Sequence, residues 1–205
     1  MTVDTASDSG TAGDAVTEAD ERSVDNYSRK RRIFVREVAG AYSEIYRQLG
    51  ERPRVFSEKQ VAFKGGPQHF VKGVINPGRD SGTQLFECHI DVYVPGAHGQ
   101  RHAHMNSAVF YILEGEGYDV HDGKRYDWKA GDVCIVEPGC VHQHFNSSPD
   151  KPARMLVIKS KPLFIFAGLM HQRTVVPEPT DPVPGWEHFD PVQVGTDVVE
   201  EAQGQ

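Results

Sequence analysis

Residues 95–115 read PGAHGQRHAHMNSAVFYILEG, and their interpretation decides the fold. The stretch opens on the turn pair Pro95-Gly96, carries His102 and His104 two positions apart, and ends in an apolar run closed by Gly115. Residues at i and i+2 of a strand project from one face about 6.6 to 6.8 Å apart, close enough for two imidazoles to converge on one ion. On a helix the same pair would point about 200° apart. His102 and His104 therefore make sense as co-ligands only on an extended segment, and the turn before and the strand-like run after both require one. Strand parity then puts Gln100 on the face of the two histidines and Arg101 on the other, and turns Ala108, Phe110 and Ile112 inward.

Working outward, strand-like segments follow at 108–114, 117–121, 124–128, 132–136, 141–145 and 153–160. They are separated by Gly115, Asp122-Gly123, Ala130-Gly131, Pro138-Gly139 and Ser148-Pro149. Upstream, residues 83–94 alternate Phe86, Cys88, Ile90, Val92 and Val94 with mostly polar neighbours such as Glu87, His89 and Asp91, which predicts a strand with one buried face. Many short strands with Gly and Pro punctuation predict an all-β, antiparallel sandwich or barrel, and no internal repeat suggests a duplicated one. The core spans 82–160. Before it, Phe34, Val35, Val38, Tyr42, Ile45 and Leu49 recur at three-to-four spacing, predicting an amphipathic helix over 28–49, with lead-in strands up to 81. After it, the apolar run 163–170 is long enough for either element. Pro177, Pro179, Pro182, Pro184 and Pro191 then make an extended arm within 161–205.

Composition narrows the function. Of the net charge of −7, residues 1–25 carry −6, so 1–27 reads as a disordered acidic tail. The nearly neutral remainder lacks the clustered Lys and Arg that phosphate contacts require, which argues against nucleic acid as a partner. No apolar stretch approaches the roughly 20 residues that span a bilayer, so no membrane association is expected. The start lacks the pattern of a secretory signal, and Cys88, Cys134 and Cys140 are too few for a disulfide framework, so the expected setting is reducing and cytoplasmic. The helix and the exposed strands of a lone barrel suggest a homodimer.

Six of the ten histidines fall between 98 and 144. His142 follows a Pro-Gly turn, where a neighbouring strand can deliver it to the point reached by His102 and His104. The sequence here resembles the cupin superfamily, recognised by two motifs. In the first, Gly96, five residues, then His102-Ala103-His104 match, followed by the strand from Val109 to Gly115. In the second, Gly131, Gly139, His142 and Asn146 fall at the family spacing, although Glu137 stands where a proline is usual. The resemblance implies a cupin (double-stranded β-helix, jelly-roll-like) barrel with metal ligands His102, His104 and His142. Most metal-binding cupins also supply a glutamate just before the Val-Phe-Tyr strand, where this chain has Ala108. The ligand set thus shrinks to three neutral imidazoles, which leaves a divalent ion fully charged, with open positions for a bidentate anion and dioxygen. His102 to Ala108 is similar to the three-histidine dioxygenases of the gentisate and hydroxynaphthoate type, and this implies Fe(II) and a small anionic substrate such as a hydroxylated aromatic acid.

The residues alone leave alternatives open. Imidazole ligands also suit Ni, Cu or Zn, and Mn is a further candidate metal. Cys140 invites a closed four-ligand zinc site. His144 shares a face with His142 and is a candidate catalytic proton shuttle, or equally a hydrogen-bonded core histidine. Gln100, Phe110 and Ala108 are the candidate substrate-binding residues. His98 reads as an exposed loop residue and not as a ligand. A non-catalytic small-molecule or metal sensor and a metal-dependent isomerase or lyase stand beside the dioxygenase.

Overall fold

The computed structural model describes residues 47, 50, 51, 54, 55, 57, 61–76 and 85–194. The chain divides into two units, Met1–Pro53 and Arg54–Gln205. In the first, Arg47, Gly50 and Glu51 are helical. The acidic tail at 1–27, the rest of the helix expected over 28–49 and the chain after 194 lie outside the described residues.

The second unit is built from antiparallel β-strands: β1 (Lys64–Gly65), β2 (His69–Ile75), β3 (Glu87–Tyr93), β4 (Arg101–His104), β5 (Ala108–Glu114), β6 (Glu116–His121), β7 (Lys124–Lys129), β8 (Val133–Val136), β9 (Val141–Asn146), β10 (Ala153–Lys159) and β11 (Gln172–Val176). One sheet has the order β1-β2-β3-β10-β5-β8 and the other β11-β4-β9-β6-β7. The all-β expectation, a sandwich or a jelly-roll-like barrel, resolves as two sheets: among the described residues no ladder joins them into a closed cylinder. The two layers are held by a shared apolar cluster that includes Tyr93, Phe110, Ile112, Met155 and Val157 from the first sheet and Trp128 from the second. Burying an aliphatic or aromatic side chain of this size stabilises the fold by about 1.5–3 kcal/mol. Among the described residues no helix is long and apolar enough to cross a membrane.

Strands β5 to β10 lie within one residue of the positions read from the sequence, because each is bounded by a turn-forming pair. On β5, Ala108, Phe110 and Ile112 are buried while Val109 and Tyr111 are exposed, as period-2 alternation requires. Strand β3 departs from expectation: its two faces are both buried. Asp91 stands opposite Met155 and His89 opposite Val157 on β10. Residues directly opposite share a face, so the polar set His89 and Asp91 points into the molecule with Met155 and Val157. Polar residues face inward here because the interior holds a polar cavity.

The run 163–170, open to either element, begins as a short helix, α1 (Lys161–Phe166), with Pro162 in its first turn. Strand β11 was not read from the sequence. It pairs with β4, setting Gln172 opposite His104 and Thr174 opposite His102, and so covers the edge of the histidine strand. The arm then crosses β2, where Gln68 Nε2 donates to the Asp181 carbonyl at 2.9 Å.

Candidate metal centre

Two neighbouring strands assemble the centre. His102 on β4 stands directly opposite His142 on β9, and His104 lies two residues further along β4 on the same face. One ring nitrogen from each of the three lies within 4.8 Å of the other two, and all three residues are buried. Gly139 fixes the approach of the second motif: in the left-handed region at φ 78°, where a side chain would be strained, it donates its N–H to the His104 carbonyl at 2.8 Å. Asn146, also in that motif, has a structural part. Its Nδ2 donates to the carbonyls of Val94 at 3.1 Å and Lys151 at 2.9 Å, while its Oδ1 accepts from the Ser148 N–H at 3.0 Å.

The hydrogen bonds decide which nitrogen each ring offers. Nδ1 of His102 faces the Gln100 carbonyl at 3.3 Å, that of His104 the Asn106 carbonyl at 2.7 Å, and that of His142 the Cys140 carbonyl at 3.0 Å. A carbonyl can only accept, so each Nδ1 carries the proton and each Nε2 keeps a lone pair. The Nε2 atoms of His104 and His142 are buried without any hydrogen-bond partner. Orphaned buried acceptors of this kind are costly unless something binds them, and two of them converging with a ring nitrogen of His102 fit a divalent cation. Burial lowers the pKa of His102 to about 4 and of His142 to about 2, and that of His104 also falls. The rings are thus neutral near pH 7, as metal ligation demands.

Cys140 does not join them. Its Sγ lies 3.8 Å from Nδ1 of His142, the nitrogen turned toward the backbone, and burial and then Asp122 push the thiol pKa up. The closed four-ligand zinc site is therefore not formed. His98 is not the exposed loop residue expected: it is half-buried, its ring 5.5 Å from that of Phe145.

The centre opens into a cavity of about 320 Å³ lined by Gln100, Phe110 and His144 among others, within the range of small-molecule sites. Ala108 packs in the apolar cluster and not on the cavity wall. Gln100 Oε1 accepts from Thr174 Oγ1 at 3.1 Å. The Phe110 and His144 rings lie 4.5 Å apart. Sequence reasoning missed the partner of His144. Asp119 stands opposite it on β6, and Asp119 Oδ1 accepts from His144 Nδ1 at 2.8 Å and from Trp128 Nε1 at 2.8 Å. Burial alone would raise the Asp119 pKa, but His144 together with hydrogen bonds from His121 and Trp128 holds it well below the usual carboxylate range.

The opposite wall was also missed. Asp91 lies between two imidazoles, 3.3 Å from His69 Nε2 and 3.3 Å from His89 Nε2. His69 Nδ1 reaches Glu178 of the arm at 2.8 Å, and its ring stacks on Tyr93 at 4.3 Å. Burial lowers His89 to about 4, whereas for His69 the effect of burial is outweighed by Asp91 and Glu178, which raise it to about 9. This sets a pH dependence. A histidine whose folded pKa exceeds its unfolded value near 6.5 contributes stability that is complete below about 6.5 and is lost as pH rises through about 9. The urea midpoint of the protein should fall between pH 7 and 9.5, and the fall should flatten in a His69→Asn variant. Equal slopes in the two proteins would remove His69 from this account.

Comparison with known proteins gives the following. Residues 89–159 match the family model described as the cupin domain. A 5-aminosalicylate 1,2-dioxygenase of Comamonas sp is 28% identical over 126 residues, covering 60% of this chain and 32% of that protein. The chain therefore spans about a third of the length of that curated relative. Among solved structures, a salicylate 1,2-dioxygenase variant from Pseudoaminobacter salicylatoxidans in complex with gentisate has a TM-score of 0.49 at 16% identity, over 71% of this chain and 37% of that one. A cupin-like protein from Thermotoga maritima has a TM-score of 0.46 at 23% identity, over 62% of this chain and 87% of that one.

Proposed function

We propose that this chain, which carries a cupin domain over residues 89–159, is an Fe(II) dioxygenase acting on a small chelating substrate such as a hydroxylated aromatic acid. The observation that carries the reading is the set of three buried imidazoles with every Nδ1 held by a backbone carbonyl and the Nε2 side left free. The curated relative, a dioxygenase of an aminated hydroxybenzoate by its name, supports the same substrate class.

His102, His104 and His142 would hold a divalent ion, which would supply Lewis-acid charge to a chelating ligand and dioxygen. The rest of the work falls to the chain. His144 is the proton acceptor: with Nδ1–H donated to Asp119, its Nε2 is left to take a proton from a substrate hydroxyl. Phe110 offers an apolar face to an aromatic ring, and the amide of Gln100 is a neutral donor on the ligand side of the cavity. Ala108, small where a carboxylate ligand would otherwise compete, leaves the substrate to supply the anionic donors.

The test is dioxygen consumption by protein reconstituted anaerobically with Fe(II), across hydroxybenzoates, catechols and diketones. Uptake with a 2-hydroxybenzoate is the expected result, and silence across the whole panel would overturn the dioxygenase reading.

A further inference from the structure

The carboxylates that surround the cavity are nearly all matched with cations or donors. Asp91 has His69 and His89, Glu178 has His69, and Asp119 has His144 and Trp128. The unmatched groups among the described residues include two cations, Lys159 and Lys161, and of these Lys159 stands on a strand of the cavity wall. Lys159 is the last residue of β10 and follows Ala153, Met155 and Val157 on the inward face of that strand. It lines the same cavity as the histidine centre. Among the described residues its ammonium makes no salt bridge and no hydrogen bond. Directly across one ladder stands Ala108, which has no acid to offer, and across the other stands Glu87, which stays beyond salt-bridge distance.

From this we propose that Lys159 binds the carboxylate of the ligand beside the metal centre, making it the residue that selects acids over neutral chelators. Opposite residues in an antiparallel pair have Cβ atoms about 4.5–5.5 Å apart, so an acid at position 108 would neutralise this lysine, and alanine leaves it for the ligand. Lys159 is half-buried, so its ammonium is partly desolvated without a partner, and an anion that enters the cavity offsets that cost. The effect on Lys159 itself agrees: burial lowers its pKa, while Asp91 and Glu87 oppose the fall. It stands on the sheet that carries His89 and Asp91 and faces the same cavity as His102, His104 and His142. A ligand that chelates through a hydroxyl and a carboxylate brings its anionic group to this place. The assignment rests on the reading of the three histidines as a chelating metal centre.

The experiment titrates anaerobic, Fe(II)-loaded protein calorimetrically with salicylate and with salicylamide, which keeps the phenol but has no charge. It compares the wild type with Lys159→Met and Lys159→Arg, and iron content is measured for each. The expected result is at least tenfold weaker salicylate binding in Lys159→Met, salicylamide binding within twofold of wild type, unchanged iron, and recovery in Lys159→Arg. Salicylate binding of equal strength in wild type and Lys159→Met, or no binding to iron-loaded wild type, would overturn the proposal. If the wild type holds no iron, the metal reading fails by itself. The apo protein then decides on Lys159: salicylate bound by wild type and lost in Lys159→Met upholds it, and no difference sinks it.

Discussion

Replacing His104 with alanine should empty the metal centre and leave the fold standing. The Nε2 of His104 is one of two ring nitrogens in the centre that are fully buried with no hydrogen-bond partner. Its removal takes away a ligand and, in the apo protein, also takes away an unsatisfied buried atom, so the loss of packing is partly offset. The backbone of β4 keeps its ladder to β11, and the N–H of Gly139 still finds the His104 carbonyl. Substitutions that only disturb the groups supporting a metal ligand weaken affinity about 10- to 100-fold, and losing one of three ligands should exceed that. Metal content after dialysis should fall from about one ion per chain to under a tenth, with a circular dichroism spectrum matching wild type. His144→Ala is the contrast, since His144 lies outside the convergent set and its variant should retain the ion. A His104→Ala protein with full metal content would dismantle the centre.

The contrast between these two histidines shows how far sequence periodicity reaches. His102 and His104 are two residues apart on one strand, and their common face follows from the period of the strand alone. His142 needed only a turn and a neighbouring strand. The supporting groups obey no such local rule. Asp119 and His144 are 25 residues apart and meet because β6 pairs with β9 in one particular register. His69 and Glu178 are 109 residues apart and meet because the arm crosses β2. Strand β3 shows the same limit from another side. Alternation located its two faces correctly, but assigning the polar face to solvent presumed a dry interior. His89 and Asp91 face a polar cavity, and this becomes visible only once Met155 and Val157 are seen opposite them. Strand β11 was missed for a related reason: QRTVV pairs at a sheet edge with all of its residues exposed, so it lacks the alternation that marks a half-buried strand.

Asp119→Asn should remove most of the activity that depends on His144 while leaving the metal in place. Asp119 is a positioning residue: it touches His144 and acts through it. Its carboxylate accepts only, so His144 Nδ1 must donate, and Nε2 must present its lone pair to the cavity. An asparagine at this place offers an N–H as well as an oxygen, and His144 can then sit with the wrong nitrogen protonated or with its ring turned. Proton transfer by a positioned side chain contributes about 10²- to 10⁴-fold to rate, so kcat should fall by roughly 100-fold or more with KM and iron content close to wild type. A merely structural role predicts a different pattern, in which stability falls and kcat per folded molecule holds. Trp128→Phe separates the two, because it removes the other 2.8 Å hydrogen bond to the same carboxylate oxygen without touching His144. That variant should lose about 1 kcal/mol of stability and keep its kcat. If Asp119→Asn turned over at the wild-type rate, or if Trp128→Phe lost kcat as severely, His144 would revert to a core histidine and the proton acceptor would have to be sought elsewhere in the cavity.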